Sequence, residues 1–292
     1  MKINSLLIND VERRNDYVYN LDFALTDISL EQFRGIKHVC MQGSPIRAKE
    51  FAKKLAEVFL NTDSRFFEPV NLFKNSLYQV YRVGSILSIS HGMGNASVMT
   101  LLHSITKIMY YADNLDVSYI RIGTSGGIDV PAGDVVVTET AYMPDLVAGY
   151  KISVLGKDTI YPTRMNHALN QSIVAAQPDN LEFMVRVGNS IAADDFYLGQ
   201  ARFDGAIKPK YDEQMRAEYF AKIKALNILN FEMESTALAS FCERAEIPAT
   251  MIAVTLLNRM QDDQVRATPE MLEEYSARAQ RVAINYLKAN CG

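Results

Sequence analysis

Residues 85–123 read SILSISHGMGNASVMTLLHSITKIMYYADNLDVSYIRIG. Ser85–Ser90 is a short apolar run and reads as a buried strand. It is broken by His91-Gly92-Met93-Gly94. Ser97–Ala112 is strongly apolar over a length that suits a helix, and Ser118–Gly123 is apolar and short again. A strand, a helix and another strand within so short a span predict parallel strands of one buried sheet. The same alternation continues outward. Ile36–Met41 reads as a strand ending at Gly43-Ser44-Pro45. Arg47–Leu60 carries a helical stripe of Phe51, Leu55, Val58 and Phe59. Asp134–Thr138, Phe183–Val187, Ile228–Phe231 and Thr250–Leu256 read as further strands. Glu213–Leu226, Ser235–Ala245 and Thr268–Lys288 read as helices, the last capped by Thr268 with Pro269 and Glu270 in its first turn. This pattern predicts an α/β fold with a mostly parallel sheet.

The chain of 292 residues is long enough for two domains, but no repeat, low-complexity segment or linker divides it. A single domain over residues 1–292 is expected. Apolar residues make up 48% and charged residues 22%, which excludes a disordered or fibrous chain. Lys and Arg number 30 against 34 Asp and Glu, a net charge of −4. No polybasic field exists to attract nucleic acid or an anionic membrane. Any phosphate binding must rest on a few local arginines. Cys40, Cys242 and Cys291 form no CxxC pair, so neither a disulfide framework nor a zinc site is expected. No apolar run approaches the ~20 residues of a membrane span, and the first twenty residues lack a signal-peptide core. A cytoplasmic location is the expectation.

Ligands of parallel α/β sheets bind beyond the C-terminal ends of the strands. Five unusual stretches fall there. Gly43-Ser44-Pro45-Ile46-Arg47 joins a glycine, a helix start and an arginine, which together suit an anion; a plain strand–turn–helix with a surface arginine reads equally from these residues. His91-Gly92-Met93-Gly94 is either a ligand-contacting turn or a tight packing turn, and it lacks the third glycine and the later acid of a dinucleotide fingerprint. Arg121, inside an apolar strand, needs an anion or a salt bridge to be tolerated, and it runs into the donors of Gly123-Thr124-Ser125-Gly126-Gly127. Gln200 and Arg202, spaced two apart in a loop with Phe196, suit the amide edge and face of a pyrimidine; a polar surface loop is the alternative. Glu232-Met233-Glu234 places carboxylates at a strand end, where one can accept hydrogen bonds from a vicinal diol or complement a helix dipole. Asn258-Arg259 follows the last strand and is expected near the same cleft. His38, His103 and His167 show no metal-ligand spacing and read as structural. No Walker motif or nucleophile elbow is present.

Taken together, GSPIR (43–47), SISHGMG (88–94), IRIGTSGGI (120–128), DFYLGQARFDG (195–205), FEMES (231–235) and TLLNR (255–259) resemble the uridine phosphorylases of the nucleoside phosphorylase-I family. The likeness runs from about Asp16 to the C-terminal helix. It implies a three-layer α/β/α domain with a twisted mixed sheet partly closed into a barrel. It also implies reversible phosphorolysis of uridine to uracil and ribose 1-phosphate in pyrimidine salvage, with inorganic phosphate as co-substrate and no metal or organic cofactor. Carried across, Gly43, Arg47, Arg121 and Thr124 hold phosphate. Gln200 and Arg202 hold the uracil edge, with Phe196 beside the ring. Met233 and Glu234 hold ribose. The catalytic set is Arg121, Gln200, Arg202 and Glu234. A dimer or an assembly of dimers is implied, with residues 1–30 near the subunit interface.

Two positions depart from that pattern. Asn20 stands where the family places a histidine that reaches the neighbour's ribose. Leu77 stands where it places a phosphate-binding arginine given to the neighbour, with Lys74, Arg65 and Arg82 as nearby cations. Met99 occupies the place of a serine ligand in the potassium site of some bacterial members. The alternatives to a uridine phosphorylase are a relaxed enzyme that also uses deoxyuridine or thymidine, and a nucleoside-binding paralogue with weakened catalysis.

Overall fold

The computed structural model describes residues 17–24, 26, 29–73 and 76–290. Its strands in chain order are β1 (Tyr17–Val18), β2 (Phe23–Ala24), β3 (His38–Gln42), β4 (Val80–Val83), β5 (Ile86–Ser90), β6 (Ser118–Gly127), β7 (Val135–Tyr142), β8 (Tyr150–Val154), β9 (Lys157–Tyr161), β10 (Val185–Ala192), β11 (Ile228–Glu232) and β12 (Ala249–Asn258). The helices are α1 (Pro45–Phe59), α2 (Gly94–Tyr111), α3 (His167–Ala175), α4 (Glu213–Ala225), α5 (Ser235–Ala245) and α6 (Pro269–Asn290).

Strand β6 is the spine. Its first half pairs in parallel with β3, from His38↔Ser118 to Met41↔Arg121. Its far end pairs antiparallel with β11, at Phe231↔Gly126 and Asn230↔Gly127. On its other edge β12 runs parallel to it. The order β11-β10-β7-β12-β6, closed by the β11–β6 pairing, makes a five-stranded barrel. Strands β3, β5 and β4 continue from β6 as an open sheet. The mixed sheet, partly closed into a barrel and flanked by helices, is the architecture expected from the sequence.

Alternation along the strands sorts the core into two layers. Val39, Met41, Tyr119, Met251 and Ala253 pack with α2 and α5. Cys40, Ile120, Ile122, Ile252 and Val254 pack with α1 and α6. Arg121 shares its parity with Tyr119, so it is delivered to the α5 side. A third cluster, with Phe220, Ile223 and Phe231, seats α4 against the barrel.

The expected strands and helices are all present among the described residues, but several ends move. Strand β6 runs on through Gly123-Thr124-Ser125-Gly126-Gly127, a stretch whose small residues suggest a loop. Crowding explains those residues: a Cβ on Gly127 would lie 2.6 Å from the Val130 carbonyl, and one on Gly126 would press on the Arg259 side chain at 3.0 Å. The sequence reading omits β1, β2, β4, the β8–β9 hairpin and α3. The hairpin is at most half-buried, and along β8 Tyr150, Ile152 and Val154 alternate with Lys151 and Ser153, so it forms no continuous apolar run. Helix α3 is short and is started by Asn166, whose side chain accepts from Leu169 N at 2.9 Å. Cys40 and Cys242 are buried and form no disulfide among the described residues; Cys291 lies outside them. No described helix is long and apolar enough to cross a membrane.

At the opposite end of the sheet from the functional residues, a cavity of about 640 Å³ includes His38, Ser118 and Tyr286 in its wall. The His38 ring hydrogen-bonds Ser118 Oγ at 2.7 Å, and burial, then Lys37, lowers its pKa to about 4. The unfolded chain therefore binds a proton at His38 more readily than the folded one. Between pH 6.5 and about 4 this residue should cost stability as pH falls, by up to ~1.4 kcal/mol per pH unit. Denaturant titrations of the wild type and His38→Gln across that window should diverge accordingly; parallel profiles would refute the assignment.

Candidate active site

Between Met41↔Arg121 and Phe231↔Gly126, β6 exchanges one edge partner for another. Residues Ile122–Ser125 lie at this parting of β3 and β11. A cavity of about 630 Å³ opens there. Gly43, Arg47, Arg121, Thr124, Phe196, Gln200, Arg202, Met233 and Glu234, chosen from sequence, all line it. They arrive from the β3–α1 turn, from β6, from the loop after β10 and from the β11–α5 turn.

Arg121 is 5% exposed and is met by two carboxylates from the β11–α5 turn. Its Nη2 donates to Glu234 Oε2, and its Nη1 lies 3.4 Å from Glu232 Oε2. Nη1 also approaches Met251 Sδ at 3.1 Å. The guanidinium lies across Gly123, where a Cβ would sit 2.5 Å from Nη1. Only glycine leaves that room. The two glutamates divide their duties. Glu232 accepts from Glu234 N at 2.8 Å and from Ser235 N and Oγ, and so takes up the free amides at the start of α5. Glu234, at the N-cap position, makes no side-chain cap bond; its Oε1 accepts from Gly94 N at 2.7 Å. Burial pushes the Glu232 carboxyl above its ordinary range. Burial acts on Glu234 too, but Arg121 outweighs it and holds that carboxyl below its ordinary range.

Arg47 follows the Gly43 turn in the first turn of α1. It has no carboxylate or hydrogen-bond partner for its guanidinium among the described residues. Burial first, then the neighbouring Arg121, lowers its pKa. Arg47, without a carboxylate of its own, and Arg121, held by Glu232 and Glu234, share one pocket wall beside a helix start, an arrangement able to accept an anion. A Cβ on Gly43 would lie 3.3 Å from Arg47 Nη2 and 3.2 Å from the Gly92 carbonyl.

At the other end of the cavity the backbone differs from the extended loop expected. Leu198–Gln200 forms a 3-10 turn, closed by Ala201 in the left-handed region at φ 52°. Gln200 is nevertheless 3% exposed and fixed from behind. Arg259 donates from Nη2 to the Gln200 carbonyl at 2.7 Å and from Nη1 to Oε1 at 3.4 Å. The Nε2 donors of Gln200 have no partner among the described residues. Arg202 donates from Nε and Nη2 to Asp204 at 2.8 and 2.6 Å, and from Nη2 to the Asp263 carbonyl at 2.7 Å. The hydrogen bond to Asp204 raises its pKa. Phe196 carries the Arg202 guanidinium 4.6 Å above its ring centroid, so one of its faces is already taken.

The expectation for Asn258-Arg259 is corrected. Neither residue lines the cavity. Asn258 Oδ1 accepts from Met260 N at 3.0 Å in the turn after β12, and Asn258 faces a separate pocket with Pro131 and Gln261. Arg259, 1% exposed, acts from beneath. Asp263 is absent from the sequence reading. It accepts from Arg259 Nε at 2.8 Å, from Arg216 Nη2 at 2.8 Å and from Phe203 N at 3.1 Å. Its four-residue spacing from Arg259 is the one signal that points to the pair.

Residues 37–288 match the model of the Phosphorylase superfamily. The chain belongs to that superfamily. Uridine phosphorylase 1 of Mus musculus is 36% identical over 94% of this chain and 88% of its own length. The uridine and thymidine phosphorylase of Caenorhabditis elegans is 34% identical, over 97% and 94%. The inactive uridine phosphorylase B of Schistosoma mansoni is 30% identical, over 90% and 88%. The structure of uridine phosphorylase from Schistosoma mansoni in complex with uracil superimposes with a TM-score of 0.88 at 30% identity, covering 94% of this chain and 95% of that one.

The two departures from the phosphorylase pattern are neighbours in space. Ser76 Oγ donates to the Asn20 carbonyl at 3.4 Å, and Leu77 beside it is 74% exposed. Arg65 is engaged with Asp63. Arg82 donates to the carbonyls of Gln32 and Gly84 at 2.6 and 3.0 Å. Lys74 lies outside the described residues.

Gly123→Ala should drive the Arg121 guanidinium off Glu234 and lower stability by about 1–3 kcal/mol, as expected when a buried hydrogen-bonded charge loses its partner. Urea titration measures the loss, and a crystal structure of the variant locates the arginine. A variant of unchanged stability that keeps the Arg121–Glu234 contact would refute this account of the glycine.

Proposed function

We propose that this superfamily member is a uridine phosphorylase. The observation that carries the reading is the placement in one cavity of an arginine pair at one end, the Gln200–Arg202 donors at the other, and Glu234 between them. Phosphate is the anion of the pair, received by Arg47, Arg121, Thr124 and the Gly43 backbone. Uracil lies against Gln200 Nε2 and the free Nη1 of Arg202, with Phe196 holding the arginine in place. Ribose spans the middle, over Met233 and Glu234.

In the proposed reaction a phosphate oxygen attacks the anomeric carbon as the bond from that carbon to uracil N1 breaks. The electron pair leaves with uracil, which then takes a proton from water. The transition state is oxocarbenium-like. The phosphate dianion and Glu234 stabilise charge on the sugar, and Arg202 and Gln200 stabilise charge on the leaving base. Positioning across the sugar supplies the remainder. Arg121 must loosen its hold on Glu234 to receive phosphate, which frees that carboxylate for the ribose hydroxyls. Side chains, phosphate and water account for every step, so the proposed chemistry calls for no metal or organic cofactor. We place the activity in cytoplasmic pyrimidine salvage and the enzyme in a homodimer or an assembly of dimers, with the Asn20–Leu77 surface turned to a neighbouring subunit.

Uridine incubated with the protein should release uracil only when phosphate is present. Release without phosphate would show a hydrolase, and tight uridine binding without turnover would show a paralogue that has lost catalysis. Thymidine and deoxyuridine in parallel measure how strictly the ribose is read. Arg202→Leu should lower kcat about 10²–10³-fold, the usual loss for one donor to a developing anion, with folding preserved; near-normal turnover would sink the leaving-group role.

Leu77 gives a second prediction. If a cation belongs at that position, the wild type should show a high KM for phosphate. Leu77→Arg should lower that KM about tenfold, corresponding to ~1.4 kcal/mol of added binding, with little change in the KM for uridine. An unchanged phosphate KM would show that this surface does not reach the anion.

A further inference from the structure

Among the described residues, the buried side-chain polar atoms without a hydrogen-bond partner are both ring nitrogens of His91, Arg121 Nε and Asn230 Oδ1. Three of these four belong to His91 and Arg121, which face each other electrostatically together with Arg47 and Glu234. His91 is fully buried. Its backbone is held on both sides: its N–H donates to the Gln42 carbonyl at 2.7 Å, and its carbonyl accepts from Ser97 Oγ at 2.6 Å. The backbone is fastened while the ring is left without a partner. Leaving such a group unsatisfied costs about 1–3 kcal/mol.

The ring has a direction. Its Cε1, the atom between the two nitrogens, lies 3.8 Å from the point a Cβ on Gly43 would occupy. That same point is 3.3 Å from Arg47 Nη2. The nitrogen edge of the imidazole therefore borders the space between Gly43 and Arg47. Burial and the two arginines lower the His91 pKa to about 3, so the ring is neutral at working pH and presents one N–H and one acceptor.

We infer that His91 is a further ligand of the anionic co-substrate: its ring N–H donates to an oxygen of the phosphate held by Arg47 and Arg121, and Arg121 Nε–H is satisfied by the same anion. This rests on the reading of the cavity as a phosphorolysis site. A neutral donor suits the position. Arg47 and Arg121 already repel one another, and a third positive charge between them would raise the cost of the empty site. A neutral N–H adds a directed hydrogen bond without that repulsion.

Histidine labelled with ¹⁵N in the wild-type protein gives four imidazoles to follow. The signal missing from His91→Gln belongs to His91. Titrating inorganic phosphate without nucleoside should shift this signal to saturation while the ring stays neutral. In kinetics, His91→Leu should raise the phosphate KM about tenfold, the equivalent of one lost hydrogen bond of ~1.4 kcal/mol, and leave the uridine KM within about twofold. His91→Gln keeps an N–H donor and should retain most phosphate affinity. A His91 resonance unmoved at saturating phosphate overturns the inference, as does a His91→Leu enzyme whose two KM values rise together. Active phosphorolysis with a silent His91 overturns this inference alone. Absence of phosphorolysis overturns the functional reading, and the titration still decides whether His91 meets phosphate.

Discussion

A guanidinium buried in the middle of a sheet is the constraint on which the rest of this structure depends. Arg121 sits between Ile120 and Ile122 in β6, and a charge removed from water there costs several kcal/mol unless it is paired. The pairing comes from Glu232 and Glu234, which lie in the β11–α5 turn. That turn can approach only because β11 returns to β6 and closes the barrel. Gly123 must be a glycine for the guanidinium to lie flat, and Glu234 in turn secures Gly94 at the start of α2. Charge compensation thus links barrel closure, two helix starts and the cavity floor.

That linkage explains what the sequence reveals. Arg121 stands out in an apolar strand because its type conflicts with its neighbours. Glu234 stands out because a strand end followed by a helix leaves it few other roles. Gly43 can be read from the sequence as a site of close approach, whereas the room that Gly123 leaves for Arg121 is visible only in the structure. The order of the central elements follows from the apolar runs, since β3, β5, β6 and most of β12 are buried on both faces. The β8–β9 hairpin reaches the core only through Tyr150 and alternates apolar with polar residues along β8, so it offers no apolar run to read.

The supports beneath the base end of the cavity are far less legible. Arg259 and Asp263 come after the last strand and look like solvated turn residues. Their function is to immobilise Gln200 and Arg202 through Arg216, Asp204 and backbone carbonyls drawn from distant segments. Such a network leaves little local trace, because its partners are set by how the chain returns and not by spacing along it. The 3-10 turn at Leu198–Gln200 was hidden for the same reason: Ala201 in a left-handed conformation is not a residue type that announces a turn. His91 is the opposite case. Its motif attracts notice at once, and only the coordinates show that its ring has nothing to bond.

The exchange of partners along β6 has an evolutionary corollary. Gly43, Arg47 and His91 belong to the open sheet, whereas Phe196, Gln200, Arg202 and Glu234 belong to the barrel. The two groups meet across β6 and where Glu234 accepts from Gly94 N at the start of α2. Under the proposed function, the halves bind different reactants: one the nucleophile, the other the nucleoside. Substitutions in the barrel loops can therefore redirect which base is accepted while the anion receptor stays intact. Such an architecture lets base preference change through the barrel loops without altering the arginines that face the nucleophile, with β6 common to both halves.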